Sequence, residues 1–441
     1  MDRSPRLVGV AALVLALVPP PAGLAQDAGF APITAAERVY RASRVYGAAL
    51  TYFAHWADAP DAGTIEAAHR AYLEAALASE DRAAFSRASM RFLATFRNGH
   101  TLFLDRQLAM GAGALPFGAG FIGDRWVVTA SRADGLRVGD VLETIDGRPF
   151  EDFFREVRPL IAASTERWAR RALFGRFGPA AVYAHLFPER FALGLAGGRR
   201  VEVDRRATPG LEPGGTEGHW LEPGRLAYVR VPSFIDPQFE KRAVELVREY
   251  ESAPALIVDV RANSGGSTPQ ELTRRLMDRP HRWWTESTPA SLPYFRLRAA
   301  EGSWQYEPFG RPEFLWHSST NPPEAGAYPG RLALLVDAGC LSACEDFVMP
   351  FKDNGRATLV GETTGGSTGQ PYMLDLGDGM QAIVGAKREM FPDGSPFEGV
   401  GIRPDVEVTP TVEDLRAGRD AVLDAAKRLL TGAATPAQDR R

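Results

Sequence analysis

The sequence predicts an α/β core preceded by an N-terminal helical bundle and a β-rich module. Three patterns point to it. From Leu226 onward, short apolar runs alternate with helical stretches, as in a partly parallel sheet covered by helices. Across residues 34–97, apolar side chains recur at helical spacing. Between them, residues 115–205 run as strand-like segments broken by Gly and Asp turns. The 441 residues are 45% hydrophobic and 24% charged, an ordinary globular composition with room for two or three domains.

Taken in order, the chain opens with Arg3 and Arg6, an apolar run from Leu7 to Val18, and small residues at Gly23-Leu24-Ala25. That order predicts a signal peptide over residues 1–25. The apolar run is short for a bilayer span, so no integral membrane segment is expected in the mature chain. The expected location is periplasmic or extracellular, in a bacterium. A net charge of −4 without a long basic run argues against a nucleic-acid partner.

A helical domain is expected over residues 26–105. Thr34 and Glu37 form a capping-box pattern, and Val39, Tyr46, Leu50 and Phe53 follow at helical spacing. Tyr72, Leu73 and Leu77 mark a second helix; Phe85, Phe92, Leu93 and Phe96 mark a third. The region ends at Arg97-Asn98-Gly99-His100-Thr101, where Gly99 permits a tight turn and places His100 on a loop.

The second module is expected over residues 106–205. Gly135-Leu136-Arg137-Val138-Gly139-Asp140 and Ile145-Asp146-Gly147 resemble the turn and strand of a PDZ domain. The resemblance implies core positions at Leu136, Val141 and Ile145, a closing hairpin over 191–203, and a peptide-carboxylate loop at Gly118, Ala119, Gly120 and Phe121. PDZ domains bind peptide ends by strand addition. A module of this fold that only packs on its neighbour fits the residues equally. Residues 206–224, rich in Gly, Pro, Thr and Glu, read as a linker.

The core is expected over residues 225–441. Leu226 to Val231 and Ala255 to Val260 read as strands, Gln270 to Asp278 as a helix, and residues 279–327 as an irregular insertion. Leu332 to Val336 is a strand buried on both faces. Ala338 and Gly339 break it, and a helical segment runs from Ala343 to Phe351. Ser342 stands at the turn between them. A serine there is either a helix N-cap or a nucleophile exposed at the strand end. Ala357 to Gly361 is a further strand and Thr411 to Leu430 a last amphipathic helix. Active sites of such sheets collect at the strands' carboxyl ends, here Asp259 to Arg261 and Asp337-Ala338. The only two cysteines, Cys340 and Cys344, flank Ser342. Export permits a disulfide between them, but a spacing of four residues does not guarantee one.

Four segments in order carry a family resemblance. Asp259 to Gly266 resembles the Asp-Leu-Arg-x-Asn-x-Gly-Gly segment of the carboxyl-terminal processing (tail-specific) proteases. Ser342 to Phe347 resembles their nucleophile helix, and Gly361 to Gly366 and Glu398 to Val406 their closing segments. The resemblance implies a crotonase/ClpP-like core. Members with a Ser/Lys mechanism carry a lysine after the Gly-Glu pair, where this chain reads Gly365-Gly366-Ser367-Thr368-Gly369-Gln370. The chain instead resembles the tricorn-type branch, which uses Ser, His and Glu. That implies Ser342 as nucleophile, His100 as general base and Glu398 as orienting acid, with Glu362 as the alternative acid. Imidazole titrates near neutrality and can take a hydroxyl proton, and a carboxylate fixes its tautomer. The implied oxyanion donors are the N–H of Ala343 and that of Gly265 or Gly266. The implied function is a serine peptidase acting on peptides or proteins without metal or cofactor; the alternative is a non-catalytic ligand- or peptide-binding protein on the same fold.

Overall fold

The computed structural model describes residues 33–175, 181–212, 214–289, 306–309 and 311–432. The expected signal peptide lies outside the described residues.

The core is a six-stranded sheet in the order Val406–Glu407, Thr358–Gly361, Arg331–Val336, Ala255–Asp259, Leu226–Arg230, Glu217–Glu222. All pairings are parallel except the last, which is antiparallel. The two faces divide the side chains by alternation, as strand geometry requires. Leu256, Val258, Leu332, Leu334 and Val336 pack with Phe347, Val348 and Phe351 of the helix Ala343–Asp353. Ile257, Ala333, Leu335 and Val360 face Val422, Ala426 and Leu430 of the helix Ala421–Thr431. Both faces are therefore covered, which explains why these strands read as unbroken apolar runs.

Two expectations change here. Part of the segment read as a linker, Glu217–Glu222, is the edge strand of the core. Its glycine is used for packing: a Cβ on Gly218 would lie 3.0 Å from the Tyr250 ring, and Trp220 stands edge-on to that ring at 5.2 Å. The insertion over 279–327 also holds regular strands. Thr285–Pro289 pairs with Arg311–Trp316 on one side and Arg388–Met390 on the other. The second partner lies far along the chain, so no local pattern reveals the pairing.

Ahead of the core, helices span Ala35–Tyr52, Ala62–Ala78 and Arg82–Ala94, capped by Thr34, Asp61 and Asp81. The strand Leu102–Asp105 follows and pairs with Met380–Gly385 of the core. This pairing brings the Asn98 to Thr101 turn against the core. The next module is an antiparallel sheet in the order Phe117–Ile122, Arg125–Ser131, Val141–Ile145, Arg190–Leu195, Arg200–Asp204. Gly118, Ala119, Gly120 and Phe121, expected as a carboxylate loop, lie within its edge strand, with a bulge at Gly118/Ala119. Cross-strand pairing with Val127 and Val128 and the packing of Phe121 on Trp126 at 5.4 Å hold the segment extended. The helix Glu166–Ala172 packs beside that strand and reaches toward the core.

Candidate active site

Ser342 occupies the N-cap position of the helix Ala343–Asp353 but makes no side-chain cap hydrogen bond. Its φ of 58° lies in the left-handed region. For a residue with a Cβ this conformation costs on the order of 1–3 kcal/mol and needs support from its surroundings. Support comes from both sides. Ser342 N–H donates to the Ser367 carbonyl at 3.0 Å, and Leu341 N–H donates to the Asn263 carbonyl at 3.2 Å. Cys340 and Cys344 are joined in a disulfide that spans the turn.

The turn delivers the Ser342 hydroxyl to His100. Nε2 of His100 lies 2.9 Å from Ser342 Oγ, and Nδ1 lies 3.0 Å from Ser367 Oγ. Asn98 sets the imidazole's turn: its Oδ1 accepts from His100 N–H at 3.0 Å and from Thr101 Oγ1 at 2.9 Å. The ring is buried, and burial lowers its pKa to about 4, so it is a neutral base near neutrality.

Glu398 is buried behind this pair. Its Oε1 accepts from Asn98 Nδ2 at 2.7 Å and from the Ser164 hydroxyl. Burial pushes its pKa up to about 8, against hydrogen bonds from Ser164, Ser367 and Asn98 that favour the charged form. No direct hydrogen bond joins His100 to Glu398 among the described residues; Ser367 bonds His100 Nδ1 at 3.0 Å, and its hydroxyl favours the charged form of Glu398. Glu362 is placed elsewhere. Its carboxyl sits with Thr409, Asp337 and Arg171, and burial beside Asp337 raises its pKa.

The oxyanion candidates also separate. A Cβ on Gly265 would stand 2.7 Å from the Leu341 carbonyl and 2.7 Å from Ser342 Cβ, so only glycine fits against the nucleophile. Its N–H, however, is donated to Asn263 Oδ1 at 2.9 Å. Gly265 therefore shapes the wall, and Gly266 and Ala343 remain the candidate donors. Gly266 has a φ of 136° and lies against Phe234, where a Cβ would meet main-chain atoms at 2.2 Å.

Several participating residues were not legible beforehand. Glu345, fully buried under the loop, accepts from Gly366 N–H at 2.8 Å, Ser367 N–H at 3.0 Å and the Thr364 hydroxyl. Burial pushes its pKa up to about 8. Ser164, Thr165 and Arg167 reach in from the second module: Thr165 Oγ1 donates to the Gly365 carbonyl at 2.7 Å, and Arg167 Nε donates to the Thr364 carbonyl at 2.6 Å. Only Ser367 had a signal, since it stands in the segment where the lysine is missing. The lysines are elsewhere too. Lys352 pairs with Asp405, and Lys387 lies between Glu286 and Glu389 at 2.8 Å from each.

A serine on a strand-to-helix turn under an imidazole is the arrangement of a serine hydrolase. Residues 225–408 match the model of Peptidase family S41. The chain is 30% identical over 215 residues to the carboxyl-terminal-processing protease of Synechocystis sp., covering 48% of this chain and 45% of that one. It is 24% identical over 284 residues to the chloroplastic C-terminal processing peptidase of Tetradesmus obliquus, covering 63% and 54%. It is 27% identical over 305 residues to the putative tricorn protease homolog 2 of Streptomyces coelicolor, covering 67% and 22%. The chain thus spans about half the length of the first two relatives and less of the third. Among solved structures, mature CPAF complexed with lactacystin aligns with a TM-score of 0.66 at 16% identity, covering 90% of this chain and 98% of that chain. The photosystem II D1 C-terminal processing protease aligns with a TM-score of 0.50 at 19% identity, covering 90% and 98%. These two likenesses concern the fold alone.

Proposed function

We propose that this chain is an exported serine peptidase that hydrolyses peptide bonds through an acyl-enzyme. Ser342 attacks the scissile carbonyl, and His100 Nε2 takes its proton. The N–H groups of Ala343 and Gly266 receive the oxyanion. The imidazolium is stabilised through Ser367 by Glu398, and it then protonates the leaving amine. A water deprotonated by the same imidazole releases the acyl group. The observation that carries this reading is the 2.9 Å approach of His100 Nε2 to Ser342 Oγ, with a neutral imidazole.

The neighbouring module suits the selection of substrates by their carboxyl termini. Phe117–Ile122 is an edge strand beside the helix Glu166–Ala172, a place where a peptide adds as a further strand. The Cys340–Cys344 disulfide suits an oxidising compartment outside the cytoplasm. No helix among the described residues is long and apolar enough to cross a membrane.

A fluorophosphonate probe should label Ser342 in the wild-type protein and fail on Ser342→Ala and on His100→Ala. The same two variants should stay folded and lose hydrolysis of a peptide library with free carboxyl ends. The double variant should be little slower than either single one, because the pair acts as a unit. Lys352→Ala should keep wild-type activity. Peptide binding with neither labelling nor turnover in the wild type would overturn the reading in favour of a binding protein.

A further inference from the structure

We propose that His55 is a positioning residue of this site, sharing one proton with Glu398. The inference rests on the peptidase reading for its kinetic consequence and on geometry for its origin. His55 follows the helix Ala35–Tyr52 and is 1% exposed. Ala54 N–H donates to the Gly385 carbonyl at 2.8 Å, which fixes the segment against the core. A Cβ on Gly385 would lie 3.4 Å from His55 Cδ2 and 2.7 Å from Asn98 Oδ1, so glycine there allows His55 and Asn98 to approach together.

Glu398 uses its two oxygens differently. Oε1 is held by Asn98 and Ser164, whereas Oε2 has no hydrogen-bond partner of normal geometry. Nδ1 of His55 faces Oε2 at 3.9 Å, and neither ring nitrogen has a partner of normal geometry. Two buried polar groups left facing each other are costly unless they satisfy one another. A side-chain adjustment of about 1 Å brings them into hydrogen-bond range.

The pair then has two forms. In one, Glu398 carries the proton on Oε2 and His55 is neutral. In the other, the O–H bond has broken, an N–H bond has formed at Nδ1, and a carboxylate faces an imidazolium. Neither form carries net charge, which a buried site tolerates better than an isolated carboxylate. The second form supplies negative charge when His100 takes the Ser342 proton, and the proton returns to Oε2 when His100 is neutral again. The surroundings favour the neutral form at rest. Arg388, itself 3.2 Å from Asp58, and His100 both oppose charge on His55, while the Lys387 main chain favours it. Burial first, and then Asp58, oppose charge on Glu398, and Glu345 is a further acid nearby.

The first measurement needs no turnover. In Ser342→Ala protein with ¹⁵N-labelled histidine, adding Glu398→Gln should move the His55 Nδ1 resonance. Unchanged His55 resonances would overturn the pairing, whether or not the protein is a peptidase. The second measurement is kinetic. His55→Gln should lower kcat about 10- to 100-fold with little change in KM. It should also move the acid limb of kcat to higher pH, and it should add nothing in a Glu398→Gln background. A folded His55→Gln protein with wild-type kcat and pH profile, or losses that multiply in the double variant, would overturn it. If His55→Gln does not fold, the resonance measurement decides.

Discussion

Ser342 keeps a strained φ because main-chain bonds and a disulfide hold both its flanks, and the strain exposes its hydroxyl to His100. At this scale the acid is the instructive residue. In the proposed mechanism Glu398 acts on His100 by way of Ser367, so its charge acts at one remove. Glu398→Gln should preserve the shape and cut kcat, by less than the roughly 10⁴ lost when a directly bonded aspartate is changed to asparagine in a serine protease. Glu362→Gln should turn over normally, because its carboxyl sits with Thr409 and Asp337. The reverse pattern of kcat, with melting temperature as the folding control, would move the role to Glu362. The pH profile follows from the same groups. His100 is neutral above about 4, but Glu398 ionises only near 8. Proton sharing with His55 supplies the carboxylate in the wild type below that value, so in His55→Gln, where Glu398 must lose its proton to solvent, kcat/KM should rise through a value nearer 8 than the ordinary histidine value of about 6.5. In Glu398→Gln that limb should vanish.

Among the elements, the helix Glu166–Ala172 has an unusual position. It packs beside the edge strand Phe117–Ile122, and residues at its start grip the loops that carry Ser367 and Glu398. Arg167 donates to the Thr364 carbonyl at 2.6 Å and to the Val400 carbonyl. Arg167→Ala frees both loops, so kcat should fall several-fold with little change in melting temperature; equal loss of both would make the arginine a stability element instead. None of this was legible in the sequence. The core strands were, because each is an unbroken apolar run ending at a polar turn. Ser342, His100 and Glu398 were candidates through the segments that surround them, and the structure brings Ser342 and His100 into hydrogen-bond contact, with Glu398 one residue further, on Asn98. Ser164, His55 and Asn98 were not legible: each acts through a partner hundreds of residues away, and a lone Ser, His or Asn in a turn has many commoner uses. The strand Glu217–Glu222 was missed because Gly and Pro nearby imitate a linker, although the glycine serves close packing on Tyr250.

For the whole molecule, the site is a junction. His100 comes from the turn after the first helices, Ser164 from the second module, and Ser342, Ser367 and Glu398 from the core. Closing that junction buries acids and imidazoles together, and the burial sets how stability depends on pH. Glu345 and Glu398 are raised from 4.5 to about 8, chiefly by burial, and burial raises Glu389 as well, against the Lys387 ammonium beside it. A carboxyl whose folded pKa is raised contributes most below 4.5, and that contribution is lost as pH rises toward 8. His55, His100 and His185 are lowered from 6.5 to about 3, 4 and 4, again chiefly by burial. A histidine whose folded pKa is depressed contributes fully above 6.5 and loses that contribution as pH falls toward 4. Between about 4.5 and 6.5 the two trends oppose each other; outside that window each acts alone. The melting temperature should therefore be highest in that window and fall on both sides. Glu345→Gln, which cannot ionise, should flatten the fall between pH 6.5 and 8 relative to the wild type. A wild-type melting temperature that climbs steadily from pH 5 to 8 would mean that these carboxyls are ionised in the folded protein, and that the neutral resting state of Glu398 is wrong.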